Sequence, residues 1–421
     1  MKSYWNDTEA ERIESAAGDN PADRALALRV YTSQLIGREV DLVLHGGGNT
    51  SVKVKRPDGS GVDRDVIHVK GSGWDLATIE APGLPGMRLE PLLEARNIPD
   101  MKDEEMVALL RTNMLDDSGP TPSVEALLHA FLPYDYVDHT HSAAALAIAN
   151  QPNAAELSRQ IFGEKLCVVP YVMPGFKLSH AADEIFRREG RDCEGMFLVN
   201  HGLFSFSDDA RISYERIIDF TSACEDYLAD NGAALTPPEE NTKVETQPRV
   251  VENLGAALSE WAFFGGGVTL DLRDSPAIRR YLAMDNLQDV ATRGTATPDH
   301  VIRIKPRPVI GASDFSSEDW KGKVDDFAQW YESYFQRNVP NADEPKTMLD
   351  PLPRVALIPG TGIVGIGRNA KEAGIAADLA EQTARIVWSA EQIGRFTPLD
   401  EGKLFQMEYW SLEQAKLQKA A

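Results

Sequence analysis

The stretch Asp138-His139-Thr140-His141-Ser142 constrains this chain more than any other. It follows Tyr134-Asp135-Tyr136-Val137 and precedes an Ala-rich run, the pattern of a strand that ends into a helix. Side chains alternate faces along a strand, so His139 and His141 share a face. Two imidazoles on one face of a rigid element make half of a metal site. A chance pair of neighbouring histidines is more often one core and one surface residue, so a third ligand and an acid are needed. Gly195-Met196-Phe197-Leu198-Val199 reads as a buried strand ending in Asn200-His201-Gly202, which places a third histidine at a strand end. The acid is Glu125. It is expected in the first turn of a helix over Val124–Phe131 capped by Ser123, where the helix dipole favours a negative charge. His129, one turn further on, is expected to pack or to support the site.

The preceding chain supplies donors. Apolar spacing predicts a helix from about Pro21 to Gly37. After it, His45-Gly46-Gly47-Gly48 lets the backbone turn sharply and bring N–H groups close to a ligand. Asn49, Thr50 and Ser51 then add amide and hydroxyl donors and Lys53 adds charge, a chemistry that suits a phosphate as well as a plain hairpin. Val52–Arg56, the turn Pro57-Asp58-Gly59, and Asp65–Lys70 read as that hairpin. It runs into a second small-residue loop, Gly71-Ser72-Gly73, with Lys70 beside it. Alternation puts His68 in the core or at a sheet edge. Further helices are expected over Asp103–Asn113, Ala143–Asn150, Ala154–Phe162, Ala181–Glu189 and Ala210–Leu228, with a strand over Leu166–Tyr171.

A length of 421 residues allows two or three domains. The formal charge of -22 discourages binding to nucleic acid or an anionic membrane, both of which need a basic footprint, so neither partner is expected. No apolar run approaches the roughly 20 residues of a membrane helix, and the first residues have no signal-peptide core. The three cysteines, Cys167, Cys193 and Cys224, are widely spaced and odd in number, which argues against a disulfide framework and for a cytoplasmic setting.

The polar, Pro-bearing stretch from Gly232 to Arg249 reads as a linker. Beyond it the first half recurs in degenerate form: Val301–Lys305 echoes Val66–Lys70, and Gly362–Gly367 with its following helix echoes Gly202–Ser207 with its own. Thr361 then stands where His201 stood, and no histidine pair follows residue 300. Two decoys fail. Gly360-Thr361-Gly362-Ile363-Val364-Gly365 fits a dinucleotide pattern, but alternation continues through the glycines and the helix begins only near Ala370. His45-Gly46-Gly47-Gly48 looks like an oxyanion loop, but the chain has no Gly-x-Ser-x-Gly nucleophile.

Gly48-Asn49-Thr50-Ser51, Gly71-Ser72-Gly73, Ser123-Val124-Glu125 and His139-x-His141 with Asn200-His201-Gly202 stand in that order. This resembles the class II aldolase/adducin family over about Ala22 to Asp230. The whole chain, with its Glu408-Tyr409-Trp410 ending, is most similar to the aldolase part of the bifunctional rhamnulose-1-phosphate aldolase/alcohol dehydrogenases. In those a dehydrogenase domain follows where this sequence stops, so a dehydrogenase activity is not expected of it. The resemblance implies a three-layer αβα fold with a mainly antiparallel central sheet, as a metal-dependent domain over residues 1–235 and a degenerate copy without metal ligands over 250–421. It implies Zn²⁺ or another divalent metal on His139, His141 and His201, with Glu125 as catalytic acid/base. Asn49, Ser72 and Gly73 would hold the substrate phosphate, with Thr50, Ser51 and Ser123 beside them. Val124 replaces a serine usual in the family's phosphate site. The implied reaction is retro-aldol cleavage of a 1-phosphorylated deoxyketose, with rhamnulose 1-phosphate favoured, to dihydroxyacetone phosphate and lactaldehyde. The alternatives are a sugar-phosphate 4-epimerase or dehydratase, or an adducin-like interaction module, which would lack the metal ligands. Family analogy also leads one to expect a homo-oligomer.

Overall fold

A computed structural model describes residues 1–57, 61–237, 248–265, 267–412 and 414. It divides into two compact units, one of Met1–Ala149 with Asn153–Tyr227, the other of Asn150–Pro152 with the described chain from Leu228 onward. No helix among the described residues is long and apolar enough to cross a membrane.

The first unit is built on a seven-stranded sheet. Its strands are β1 (Asn49–Pro57), β2 (Asp63–Val69), β3 (Gly86–Arg88), β4 (Tyr136–Thr140), β5 (Leu166–Val169), β6 (Gly195–Leu198) and β7 (Gly202–Ser207), in the spatial order β3-β2-β1-β4-β7-β6-β5. Every neighbouring pair is antiparallel except β5 with β6. The expected mainly antiparallel sheet is therefore present. β4, β6 and β7 are buried along their whole length, so both faces are covered. The helix Pro21–Arg38 starts with Pro21 in its first turn and Asn20 accepting the amide of Ala22. It lies along β1, where Ser33 meets Thr50. The tip of the β1–β2 hairpin, expected at Asp58-Gly59, lies outside the described residues.

A buried ion pair locks the centre of this sheet to its helices. Arg29 Nη2 stands 2.5 Å from Asp138 Oδ1, both side chains are fully buried, and Ser213 Oγ donates to Asp138 Oδ2 at 2.6 Å. Because β4 alternates, Asp138 faces these helices and leaves His139 on the other side.

The second unit carries a four-stranded sheet of β8 (Thr269–Arg273), β9 (Val309–Ile310), β10 (Val355–Ile358) and β11 (Gly362–Gly367), ordered β8-β11-β10-β9. β8 with β11 and β11 with β10 are antiparallel, and β10 with β9 is parallel. That reproduces the order and sense of β4-β7-β6-β5, so the copy repeats half of the fold. Its core is aromatic, with Trp320, Tyr331, Tyr334, Phe335, Phe405 and Tyr409 buried together.

Two expectations are corrected here. Val301–Ile304 is a short helix rather than the strand that its likeness to Val66–Lys70 suggested. Val301 and Ile304 bury one helical face, and Lys305, placed before Pro306, leaves the helix at φ 62°. The proposed linker is also shorter than its composition suggested. Ala233 and Leu235 are buried, and Arg280 donates to the carbonyls of Ala234 and Leu235 at 3.0 Å, while a helix resumes at Pro248. Residues 238–247 of that stretch lie outside the described chain. Glu408 and Tyr409 of the terminal motif are core residues: Tyr331 donates to Glu408 Oε1 at 2.7 Å, and Lys305 Nζ lies 3.4 Å from the same oxygen.

Candidate metal centre

Three adjacent strands bring the site together. In the ladders, Asn49 of β1 lies opposite His139 of β4, and His139 lies opposite Phe204 of β7. His141 follows the end of β4. His201 sits in the turn between β6 and β7, where Asn200 takes a left-handed φ of 56° and the His201 amide donates to the Leu198 carbonyl at 3.1 Å. Gly202 is required by close approach, since a Cβ there would lie 2.2 Å from the carbonyl oxygen of Thr140. Gly48 is required twice over: its φ is 60°, and a Cβ would come within 2.5 Å of the His139 carbonyl oxygen.

His139, His141 and His201 are all buried, and their ligand nitrogens lie within 4.8 Å of one another. His139 Nδ1 donates to the Leu203 carbonyl at 2.9 Å, and a carbonyl can only accept, so the lone pair of His139 sits on Nε2. That Nε2 is 3.1 Å from His141 Nε2. Phe204 stacks on the His139 ring at 4.2 Å and holds its plane. Glu125 completes the cluster, with Oε2 3.6 Å from His139 Nε2 and Oε1 3.6 Å from His201 Nε2. Burial alone would raise the Glu125 carboxyl, but His139, His201, the Asn49 bond and His141 outweigh it and hold it at about 2.

These residues fit a divalent cation. Nitrogen ligands at about 2.1 Å around a tetrahedral zinc stand roughly 3.4 Å apart, close to the separation of the first two imidazoles. Glu125 Oε1 is buried in the cluster without a hydrogen-bond partner, a cost that a cation beside it would offset. Three neutral imidazoles leave such an ion dicationic with open positions, the arrangement of a catalytic centre. The same triad is missing from the copy. Aligning the ladders puts Leu272 at the place of His139, Asp274 at that of His141 and Thr361 at that of His201. Asp274 is taken by Arg279, at 2.8 and 2.7 Å.

Of the other expected residues, Asn49 and Ser123 join the site. Asn49 Nδ2 donates to Glu125 Oε2 at 2.6 Å and to Ser123 Oγ at 3.2 Å. Ser72 and Gly73 form a half-buried to exposed loop tied to this segment, with the Ser72 amide donating to the Thr121 carbonyl at 2.7 Å. Thr50 and Ser51 do not line the site. Thr50 Oγ1 turns to the opposite sheet face and meets Ser33 Oγ at 2.8 Å, and Ser51 Oγ is 2.8 Å from His129 Nδ1 behind Asn49. Lys53 and Lys70 turn their ammonium groups to backbone carbonyls. Lys53 Nζ donates to the carbonyls of His129, Leu132 and Tyr134 at 2.6 to 2.9 Å, with burial pushing its ammonium down to about 7. Lys70 Nζ clamps the Gly-rich loop through the carbonyls of Gly46 and Gly48. Ser123 is not an N-cap, since the helix spans only Ala126–Phe131 and Glu125 itself occupies the cap position. His129, expected to pack or to support the site, is buried and bridges Ser51 and the Asn49 side-chain oxygen, so it orients the amide that holds Glu125.

Residues 29–228 match the profile of the class II aldolase and adducin N-terminal domain, and residues 242–417 match that of the class II aldolase second domain. The chain belongs to the class II aldolase/adducin family. A curated relative, an uncharacterized oxidoreductase YuxG of Bacillus subtilis (strain 168), is 31% identical over 403 residues. That match covers 92% of this chain, and the chain spans only 57% of that relative's length. The N-terminal class II aldolase domain of a conserved Thermoplasma acidophilum protein is 38% identical, with a TM-score of 0.48, covering 54% of this chain and 99% of the other. A sugar-phosphate aldolase from Thermotoga maritima is similar at 15% identity and a TM-score of 0.35, covering 49% and 97%. The class II aldolase match thus spans both units, and the histidine triad lies in the first.

Proposed function

We propose that this class II aldolase homologue is a divalent-metal-dependent lyase. It would cleave a 1-phosphorylated deoxyketose, rhamnulose 1-phosphate being the leading candidate, to dihydroxyacetone phosphate and lactaldehyde. The observation that carries the proposal is the convergence of His139, His141 and His201 with the Glu125 carboxylate 3.6 Å from two of them. Zinc held by the three imidazoles would supply a Lewis acid for the ketose carbonyl. Asn49 holds Glu125 by Oε2 and so leaves Oε1 to face the substrate. In the synthetic direction the Glu125 carboxylate would take the proton from the carbon that becomes the nucleophile. In cleavage the hydroxyl that becomes the aldehyde carbonyl gives its proton to solvent as the carbon–carbon bond breaks, and Glu125 relays a proton from solvent to the carbon that was the nucleophile. Ser123 and the Ser72-Gly73 loop would hold the phosphate; Asn49, expected among these ligands, already gives its amide hydrogens to Glu125 and Ser123, and Val124 lowers the number of hydroxyl donors. The protein is taken to work as a cytoplasmic homo-oligomer.

A panel of phosphorylated and free ketoses assayed with added Zn²⁺, with coupled detection of dihydroxyacetone phosphate, tests this. Rhamnulose 1-phosphate is expected to give product, and Glu125→Gln is expected to keep its zinc while turnover falls about 10²- to 10⁴-fold. Conversion of a ketose phosphate to its 4-epimer without release of dihydroxyacetone phosphate would replace the lyase reading by an epimerase.

A further inference from the structure

The wide sequence spacing of the cysteines conceals a pair. Cys167 lies on β5, and Cys193 follows the turn Gly190–Asp192 that leads into β6. Their sulfurs are 2.6 Å apart, roughly half an ångström beyond the length of a disulfide bond. The backbone keeps them there: β5 and β6 pair in parallel with Cys167 opposite Met196, and the Glu194 amide donates to the Lys165 carbonyl at 2.8 Å. Both side chains are buried in one cluster with Leu178, Met196 and Phe204. Cys193 also borders a surface depression lined by Tyr134, Asp192, Asp208 and Arg216, so a small oxidant reaches the pair from that side. Cys224, in the helix Ala210–Asp230, is fully buried and stands outside this cluster.

We propose that Cys167 and Cys193 form an oxidisable pair which a hydroperoxide converts to a disulfide, cross-linking the edge strand β5 to the chain entering β6. The Cys193 sulfur, losing its proton, attacks the peroxide; the O–O bond breaks and water leaves, giving a sulfenic acid. The Cys167 sulfur then attacks the Cys193 sulfur. An S–S bond forms, the S–O bond breaks, and the departing hydroxide takes the Cys167 proton as water. Two thiols are oxidised and one hydrogen peroxide is reduced to two waters. Burial pushes both thiols above their ordinary range, so the reaction is slow and yields a stabilising cross-link rather than a rapid sensor. The bond closes a loop that includes the helix Phe176–Glu189 and restricts the unfolded chain.

The test uses the full chain, incubated with hydrogen peroxide, quenched, denatured and alkylated. Peptide mapping is expected to show a Cys167–Cys193 linked peptide with Cys224 alkylated, reversal by dithiothreitol, and a Tm a few degrees higher in the oxidised form. A Cys224→Ser variant is expected to give the same linked peptide. Alkylation of all three cysteines after oxidant, sulfinic acid at Cys193 without cross-link, or a link that includes Cys224 would overturn the proposal. None of these outcomes depends on the aldolase reaction.

Discussion

Replacing Gly202 by alanine separates the metal site from the fold that carries it. The new Cβ would lie 2.2 Å from the Thr140 carbonyl oxygen and 3.3 Å from both His139 Cε1 and His141 Cδ2. Ordinary contact begins near 3.4 Å, so β4 and the start of β7 must part by about 1.2 Å, or the turn holding His201 must shift as far. Metal–ligand distances tolerate about 0.2 Å, so His201 can no longer share an ion with the other two imidazoles. The expected cost in stability is about 1–3 kcal/mol, the usual range for overpacking. The expected loss of zinc affinity is about 10- to 100-fold. The copy provides an internal control. A Cβ on Gly362 would lie 2.3 Å from the Arg273 carbonyl oxygen, at a φ of 151°, so Gly362→Ala should destabilise too but leave zinc binding intact. Competition with a chromophoric chelator, paired with thermal unfolding, reads both effects. A folded Gly202→Ala protein that binds zinc within a few-fold of wild type would refute the reasoning.

Two further outcomes follow from buried charge. Arg29→Met removes the cation paired with the fully buried Asp138, and should cost about 3–5 kcal/mol in urea unfolding; Arg29→Met with Asp138→Leu should regain most of it. His68 is buried with Nδ1 2.8 Å from the Leu84 carbonyl, and burial chiefly, with Arg56 nearby, lowers it to about 4. The folded chain therefore binds fewer protons than the unfolded one between about pH 6.5 and 4. The stability from a neutral His68 is present above pH 6.5 and lost as pH falls toward 4, by about 3 kcal/mol. Urea midpoints of wild type and His68→Gln across this range check it; parallel curves would contradict it.

The site was legible where one local rule sufficed. Alternation aligned His139 with His141, and a strand followed by Asn200-His201-Gly202 marked the third histidine of the cluster. What stayed hidden needed the third dimension. The lysines beside the Gly-rich loops seemed suited to phosphate, yet Lys53 and Lys70 spend their donors on carbonyls that the folded backbone leaves unpaired. Thr50 and Asn49 are neighbours in sequence but face opposite sides of β1. Glu125 stands at the cap of its helix rather than inside it, and the Ser123 hydroxyl accepts both the Asn49 side-chain amide and the Glu125 backbone amide. In the copy, the likeness of Gly362–Gly367 to Gly202–Ser207 proved real, since both strands begin at a glycine pressed on a neighbouring carbonyl. Val301–Ile304 is helical despite its likeness to a strand, because a run as short as Val301-Ile302-Arg303-Ile304 suits either period.

The most direct measurement is metal stoichiometry by atomic emission on the full chain after zinc loading and exhaustive dialysis, for wild type and His201→Ala. One tightly held ion per wild-type chain, and almost none in the folded His201→Ala protein, is the expected result. A wild-type chain that retains no ion, or a His201→Ala chain that retains one as tightly, would contradict the three-histidine centre.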